Sequence, residues 1–174
     1  MCSSDLPDEA ADYHSDQVEA LADAGVDVVA SYTITGVEEG IGIARAARRA
    51  GVPVLIGFTV ETDGRLPDGT SLRDAVARVE AEEPADGYLV NCAHPTHIAP
   101  ALEEGDWLRR IVQVNPNAST LSHAELDAAA ELDAGDLSLL TSSYDALRDR
   151  LPALSIVGGC CGTDARHVAA LWGL

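Results

Sequence analysis

The stretch VEEGIGIARAARRAGVPVLIGFTV (Val37–Val60) decides the fold. Residues from 37 to about 50 suit a helix, and Gly51 supplies a C-terminal stop. VPVLIGFTV (52–60) then follows as a continuous apolar run. Apolar and polar residues in alternation would mark a strand with one wet face, whereas unbroken apolarity suits a parallel strand covered on both faces. A helix running into such a strand is one βα repeat, and the same unit recurs on either side.

Upstream, VDVVASYTI (26–34) reads as a buried strand. Before it, from about residue 12, Val18, Leu21, Ala22 and Gly25 recur at helical spacing on one predicted face. Downstream, Ser71 and Asp74 suit a helix start, with Leu72, Ala75, Val76 and Val79 on its inner side. GYLVNC (87–92) is the next strand, followed by a short helix near 95–103 and a strand in RIVQVNPNA (110–118). Ser122 and Glu125 form a capping-box pattern, and Leu140, Tyr144, Leu147 and Leu151 mark one more inner face. LSIVGGC (154–160) is a fifth strand, and Thr163 and Asp164 suit the start of a last helix.

Strict α/β alternation with apolar strands argues for a parallel sheet, either open and doubly wound or an arc of a (β/α)8 barrel. Neither G-x-G-x-x-G nor G-x-x-x-x-G-K-[ST] occurs, which counts against the open dinucleotide-binding form. A complete barrel takes about 250 residues, so 174 residues predict a partial TIM-type barrel of five strands, with N-terminal βα units missing. On this reading residues 1–11 are a ragged start and 12–174 the barrel portion. Such an arc exposes two sheet edges and predicts homo-oligomers formed through them, or poor stability.

The chain is 47% hydrophobic, enough for a sizeable single core. Its 29 acidic residues face 11 basic ones, all arginine, for a net charge of −18. That surface repels nucleic-acid phosphates and anionic lipid, so neither is an expected partner. No apolar run approaches the roughly 20 residues of a membrane span, and no leader pattern is present, so the expectation is a soluble cytoplasmic protein. Cysteines at positions 2, 92, 160 and 161 are too few and too irregularly spaced for a disulfide scaffold. Cys2 lies in the start and is set aside.

The chemistry-bearing residues fall at predicted strand ends. Cys92 ends one strand, and Cys160 and Cys161 end another. In parallel α/β folds those C-terminal ends converge on the ligand side. Three thiolates suit zinc, with a fourth position left open for a reactant. The flanking glycines would permit the sharp turn that two consecutive ligands need. Core packing and a Cys160/Cys161 redox couple remain alternatives on spacing alone. His94 and His97 are further candidate ligands, with helix capping or surface roles as rivals. Asn115, Asn117, Tyr32, Thr33 and Thr59 sit at strand ends where they would meet a polar ligand, or serve turns and packing.

In that order and at those strand ends, VNCAHP (90–95), NPNAS (115–119) and GGCCGT (158–163), supported by GFTVETDGRLPDGTSL (57–72), resemble the zinc-dependent homocysteine S-methyltransferases. The resemblance runs from about Tyr13 onward. It implies a (β/α)8 barrel whose C-terminal part this chain represents, with Zn2+ held by Cys92, Cys160 and Cys161. It further implies that the homocysteine sulfur is the fourth ligand and accepts a methyl group from an S- or N-methyl donor, giving methionine. Family members begin with an Asp-Gly-Gly strand that this sequence lacks, and many carry Glu-Thr where this chain has Tyr32-Thr33. Tyr32, Thr59 and Asn117 are the expected substrate contacts. The alternatives are a structural zinc-binding remnant without activity and the thiol redox protein.

Overall fold

The computed structural model describes residues 6–174. Within them lie helices α1 (Pro7–Asp23), α2 (Val37–Ala50), α3 (Leu72–Glu82), α4 (Pro95–Ile98), α5 (His123–Ala128), α6 (Leu137–Arg148) and α7 (Ala165–Leu171). The strands are β1 (Val29–Ala30), β2 (Val54–Phe58), β3 (Gly87–Asn91), β4 (Ile111–Asn115) and β5 (Ile156–Val157). All strand pairs are parallel, and the sheet order is β1-β2-β3-β4-β5. A doubly wound sheet reverses its order at a switch point; this order never reverses, so the sheet is an arc of a barrel.

The decisive stretch folds as its sequence directs. Glu38 and Glu39 occupy the first turn of α2 and Arg48 and Arg49 the last, each opposing the nearby helix-end charge. Gly51, at φ +70°, closes the helix: its N–H reaches the Arg48 carbonyl while Val52 N–H reaches Ala47. β2 is buried along its whole length. Val54, Ile56 and Phe58 join Ile41, Ala44, Val76, Tyr88 and Val90 in the core between sheet and helices. Leu55, Leu89 and Gln113 lie outside that cluster, on the side facing the barrel axis, and are buried too.

β3 and β4 position the site. Tyr88 pairs with Ile111, but Leu89 pairs with Gln113, so β4 carries an extra residue, Val112, at a register shift. Beyond the shift Asn91 pairs with Asn115, placing two polar side chains side by side at the C-terminal rim.

Several expectations need correction. The N-terminal helix begins at Pro7, so residues 7–11 are not a ragged start; Cys2 lies outside the described residues. Proline suits the first helical turn, and Asp8 and Glu9 follow it there. The buried residues of α1 are Ala10, Ala11 and Val18, while Leu21 and Gly25 are exposed. Ala10 and Ala11 pack on α2 at Gly42, where an added Cβ would come within 2.4 Å of the Ala10 Cβ. The predicted strand 26–34 shrinks to Val29–Ala30 with an isolated bridge from Ile34 to Phe58, and Val26 and Val28 are exposed. β1 has β2 on one side only, which explains the poor cover. The helix near 95–103 is one α-turn followed by a 3-10 turn at Ala99–Ala101. At the other edge β5 is short, and Ile156 is exposed. No helix among the described residues is long and apolar enough to cross a membrane.

Candidate metal centre

Cys92 follows β3 directly, and its backbone is left-handed, at φ +59°. A non-glycine residue adopts that conformation only when its surroundings hold it there. Cys92 N–H donates to the Asn115 carbonyl at 3.1 Å. Its own carbonyl accepts from Asn117 Nδ2 at 2.9 Å and faces His123 Nε2 at 2.6 Å.

The second cysteine segment leaves β5 through Gly158 and Gly159. Here glycine is required by close approach: a Cβ on Gly158 would stand 2.9 Å from Asn115 Nδ2, and one on Gly159 would stand 2.1 Å from Thr163 Oγ1. Cys160 N–H donates to the Pro116 carbonyl at 2.9 Å, and its carbonyl accepts from Thr163 N–H and Oγ1–H. Gly162, at φ +78°, turns the chain into α7, where Asp164 caps by accepting from the N–H groups of Arg166 and His167.

These turns bring three free thiols together. Cys160 Sγ lies 3.1 Å from Cys92 Sγ, Cys92 Sγ lies 3.6 Å from Cys161 Sγ, and all three sulfurs fall within 4.8 Å of one another. Zinc–sulfur bonds of about 2.3 Å in a tetrahedron put sulfurs roughly 3.8 Å apart. The donor set therefore suits one zinc ion once the shortest separation opens by about 0.7 Å. The shorter of these two approaches joins Cys92 to Cys160, across the two segments.

Protons are shared unequally among the thiols. Cys160 is lowered to about 6, chiefly by its hydrogen bond with Cys92, with Cys161 N–H and Asn91 adding to the effect. The hydrogen bond to Cys160, then burial, push Cys92 up. A metal bound to this cluster would displace the proton held on Cys92.

His94 and His97 do not join the cluster. His94 is buried and caps α4, its Nδ1 accepting from Thr96 N–H at 3.2 Å. Burial lowers its pKa to about 4, leaving it neutral, and burial likewise lowers His97. Thr59 is buried, with Oγ1 3.5 Å from His123 Nε2. Tyr32 is half exposed, and its hydroxyl accepts from Gln113 Nε2 at 3.2 Å over the axis-facing side of the sheet. Thr33, at φ +60°, is tied to Asn91 through its N–H (2.9 Å) and hydroxyl (2.7 Å). Asn117 is buried and spends its carboxamide on the cysteine backbones.

Sequence reading missed His123 and Glu61. His123 opens α5, and its Nδ1 lies 3.1 Å from Glu61 Oε1 while Nε2 faces the Cys92 carbonyl. Both ring nitrogens face oxygen acceptors, an arrangement only the doubly protonated ring satisfies. Burial acts to lower its pKa, but the bonds to the Cys92 carbonyl and Glu61 outweigh it and the net shift is upward. No local motif announces this pair, because its members are 62 positions apart.

The homocysteine S-methyltransferase family profile matches residues 3–172. The chain is 28% identical over 163 residues to the homocysteine S-methyltransferase of Escherichia coli, covering 91% of this chain and 51% of that protein. It is 30% identical over 165 residues to the methionine synthase of Mycobacterium leprae, covering 90% of this chain and 13% of that protein. Its fold matches the apo crystal structure of the Escherichia coli homocysteine methyltransferase MmuM at a TM-score of 0.69 and 25% identity, covering 99% of this chain and 59% of that one. The chain thus spans about half the length of the Escherichia coli homocysteine S-methyltransferase and a small part of the methionine synthase.

Proposed function

The chain belongs to the homocysteine S-methyltransferase family, and from that premise we propose that it forms the zinc-binding, C-terminal portion of a barrel that transfers a methyl group to homocysteine, producing methionine. The observation that carries this reading is the meeting of Cys92, Cys160 and Cys161 within 4.8 Å at the C-terminal rim. The three cysteines would hold Zn2+. When bound there, zinc supplies a Lewis acid that keeps an acceptor thiol, ordinarily of pKa about 8.5, in its thiolate form at neutral pH.

The chain's own groups prepare that rim. The backbone bonds from Cys92 to Asn115 and from Cys160 to Pro116 fix the two cysteine segments to β4 and the turn that follows it. Tyr32 and the exposed part of Glu61 stand near the ends of neighbouring strands, where they would line an amino-acid substrate, whereas the buried Thr59 faces His123 instead. In the transfer, the bond from methyl carbon to a donor sulfonium or ammonium breaks as the bond to the homocysteine sulfur forms. The donor leaves as a neutral sulfide or amine.

Anaerobically purified protein should bind one zinc, and Cys92→Ala should abolish that binding. Incubation with homocysteine and an isotopically labelled methylsulfonium should yield labelled methionine. Zinc binding without labelled methionine would leave a structural zinc module. A reversible disulfide between Cys160 and Cys161 in protein that takes up no metal would establish a redox protein instead.

A further inference from the structure

The two cysteine segments leave different strands, so their sulfurs meet only if something fixes one segment against the other. One buried carboxamide touches both. Asn117 Nδ2 donates to the Cys92 carbonyl at 2.9 Å, and Asn117 Oδ1 accepts from Cys161 N–H at 3.1 Å. The side chain is itself anchored: Asn117 is 2% exposed, and its backbone N–H donates to the Ala93 carbonyl at 3.1 Å. The next residue repeats the link, with Ala118 N–H donating to the Cys161 carbonyl at 3.0 Å. His123, braced by Glu61, supplies the second donor to the Cys92 carbonyl.

We infer that Asn117 is a positioning residue that sets the three sulfurs in register for one metal ion, by holding the left-handed Cys92 and the Cys161 backbone on a single planar group. The inference rests on the zinc reading above. Only a carboxamide fits the position, because it offers a donor and an acceptor on one rigid plane. Aspartate would keep the acceptor for Cys161 N–H but set a second oxygen against the Cys92 carbonyl. Asn117 is therefore unavailable as a direct substrate contact.

Asn117→Asp and Asn117→Ala in the full chain test this, with Co2+ as a spectroscopic probe and Zn2+ affinity read by competition with a chromophoric chelator. Both variants should bind zinc about 10–100-fold more weakly than the unsubstituted protein, the range typical of outer-shell partners. Their thiolate-to-cobalt charge-transfer band should weaken, while the metal-free circular dichroism stays unchanged. Unchanged affinity and an unchanged band would overturn the inference, even with a lower melting temperature, since a purely structural residue would behave that way. If neither variant folds, His123→Ala removes the other donor to the same carbonyl and should weaken zinc about tenfold; unaltered zinc binding there would overturn the inference equally. Unsubstituted protein that takes up no cobalt would defeat the zinc reading itself, a result separable from any difference among the variants.

Discussion

Replacing Gly162 by alanine tests how the cysteine turn is held. Gly162 has φ +78°, and a Cβ there would lie 2.2 Å from the Asp133 carbonyl oxygen and 3.1 Å from the Ala118 Cβ. The left-handed conformation costs a residue bearing a Cβ about 1–2 kcal/mol. Forcing the Asp133 backbone aside adds an overpacking cost of about 1–3 kcal/mol. The sum, about 2–5 kcal/mol, corresponds to a fall in melting temperature of roughly 4–20 °C for a chain of this size. Gly51→Ala is the internal control: its φ is +70°, but nothing lies within 4 Å of the added Cβ, so it carries the conformational term alone. Thermal unfolding of the metal-free variants followed by circular dichroism gives the difference. Because Gly162 directly follows Cys161, zinc affinity should fall in Gly162→Ala and stay unchanged in Gly51→Ala. Equal melting temperatures for the two variants would refute the close packing of the 129–136 segment on the cysteine turn.

Other outcomes follow from the same contacts. Asn91→Ala removes both bonds to Thr33 and should destabilise the metal-free protein by about 1–3 kcal/mol, measured by urea unfolding. Gly42→Val should detach α1 from α2, since even a Cβ there would meet Ala11 N at 2.7 Å and Pro7 O at 2.8 Å; limited proteolysis should then cleave within α1 at a rate the unsubstituted protein does not show. Zinc binding should strengthen as pH rises from 6 to about 9 and release protons measurable in weakly buffered solution, because Cys92, held above the usual thiol range, must lose its proton to bind. Asp164, held low by Arg166 and His167, favours the folded state above the unfolded carboxyl pKa of about 3.9 and loses that contribution as pH falls; Asp164→Asn should therefore flatten the acid limb of the stability profile.

Much of the fold was legible because the signals were local. Gly51 ends α2 through its own left-handed backbone, and Ser122 with Glu125 forms the capping box that starts α5. Leu140, Tyr144, Leu147 and Leu151 are all buried, as their spacing predicts. The edge strands were overestimated: VDVVASYTI and LSIVGGC have the composition of central strands, but each has only one neighbour and pairs over two residues. The start of α1 was underestimated, because Ala10 and Ala11 are buried by Gly42, a contact across some 30 residues. At the site, residue type and strand-end position brought the three cysteines together in advance. The hydrogen bonds that orient them were hidden. Asn117 was expected to face a ligand, whereas its carboxamide is committed to Cys92 and Cys161, and His123 reaches Cys92 only through the fold.

Zinc K-edge X-ray absorption on the metal-loaded protein, before and after addition of L-homocysteine, tests the central claim most directly. Three sulfur neighbours at about 2.3 Å are expected in the loaded protein, and a fourth when homocysteine is added. Fewer than three sulfurs, or a zinc environment that homocysteine leaves unchanged, would contradict it.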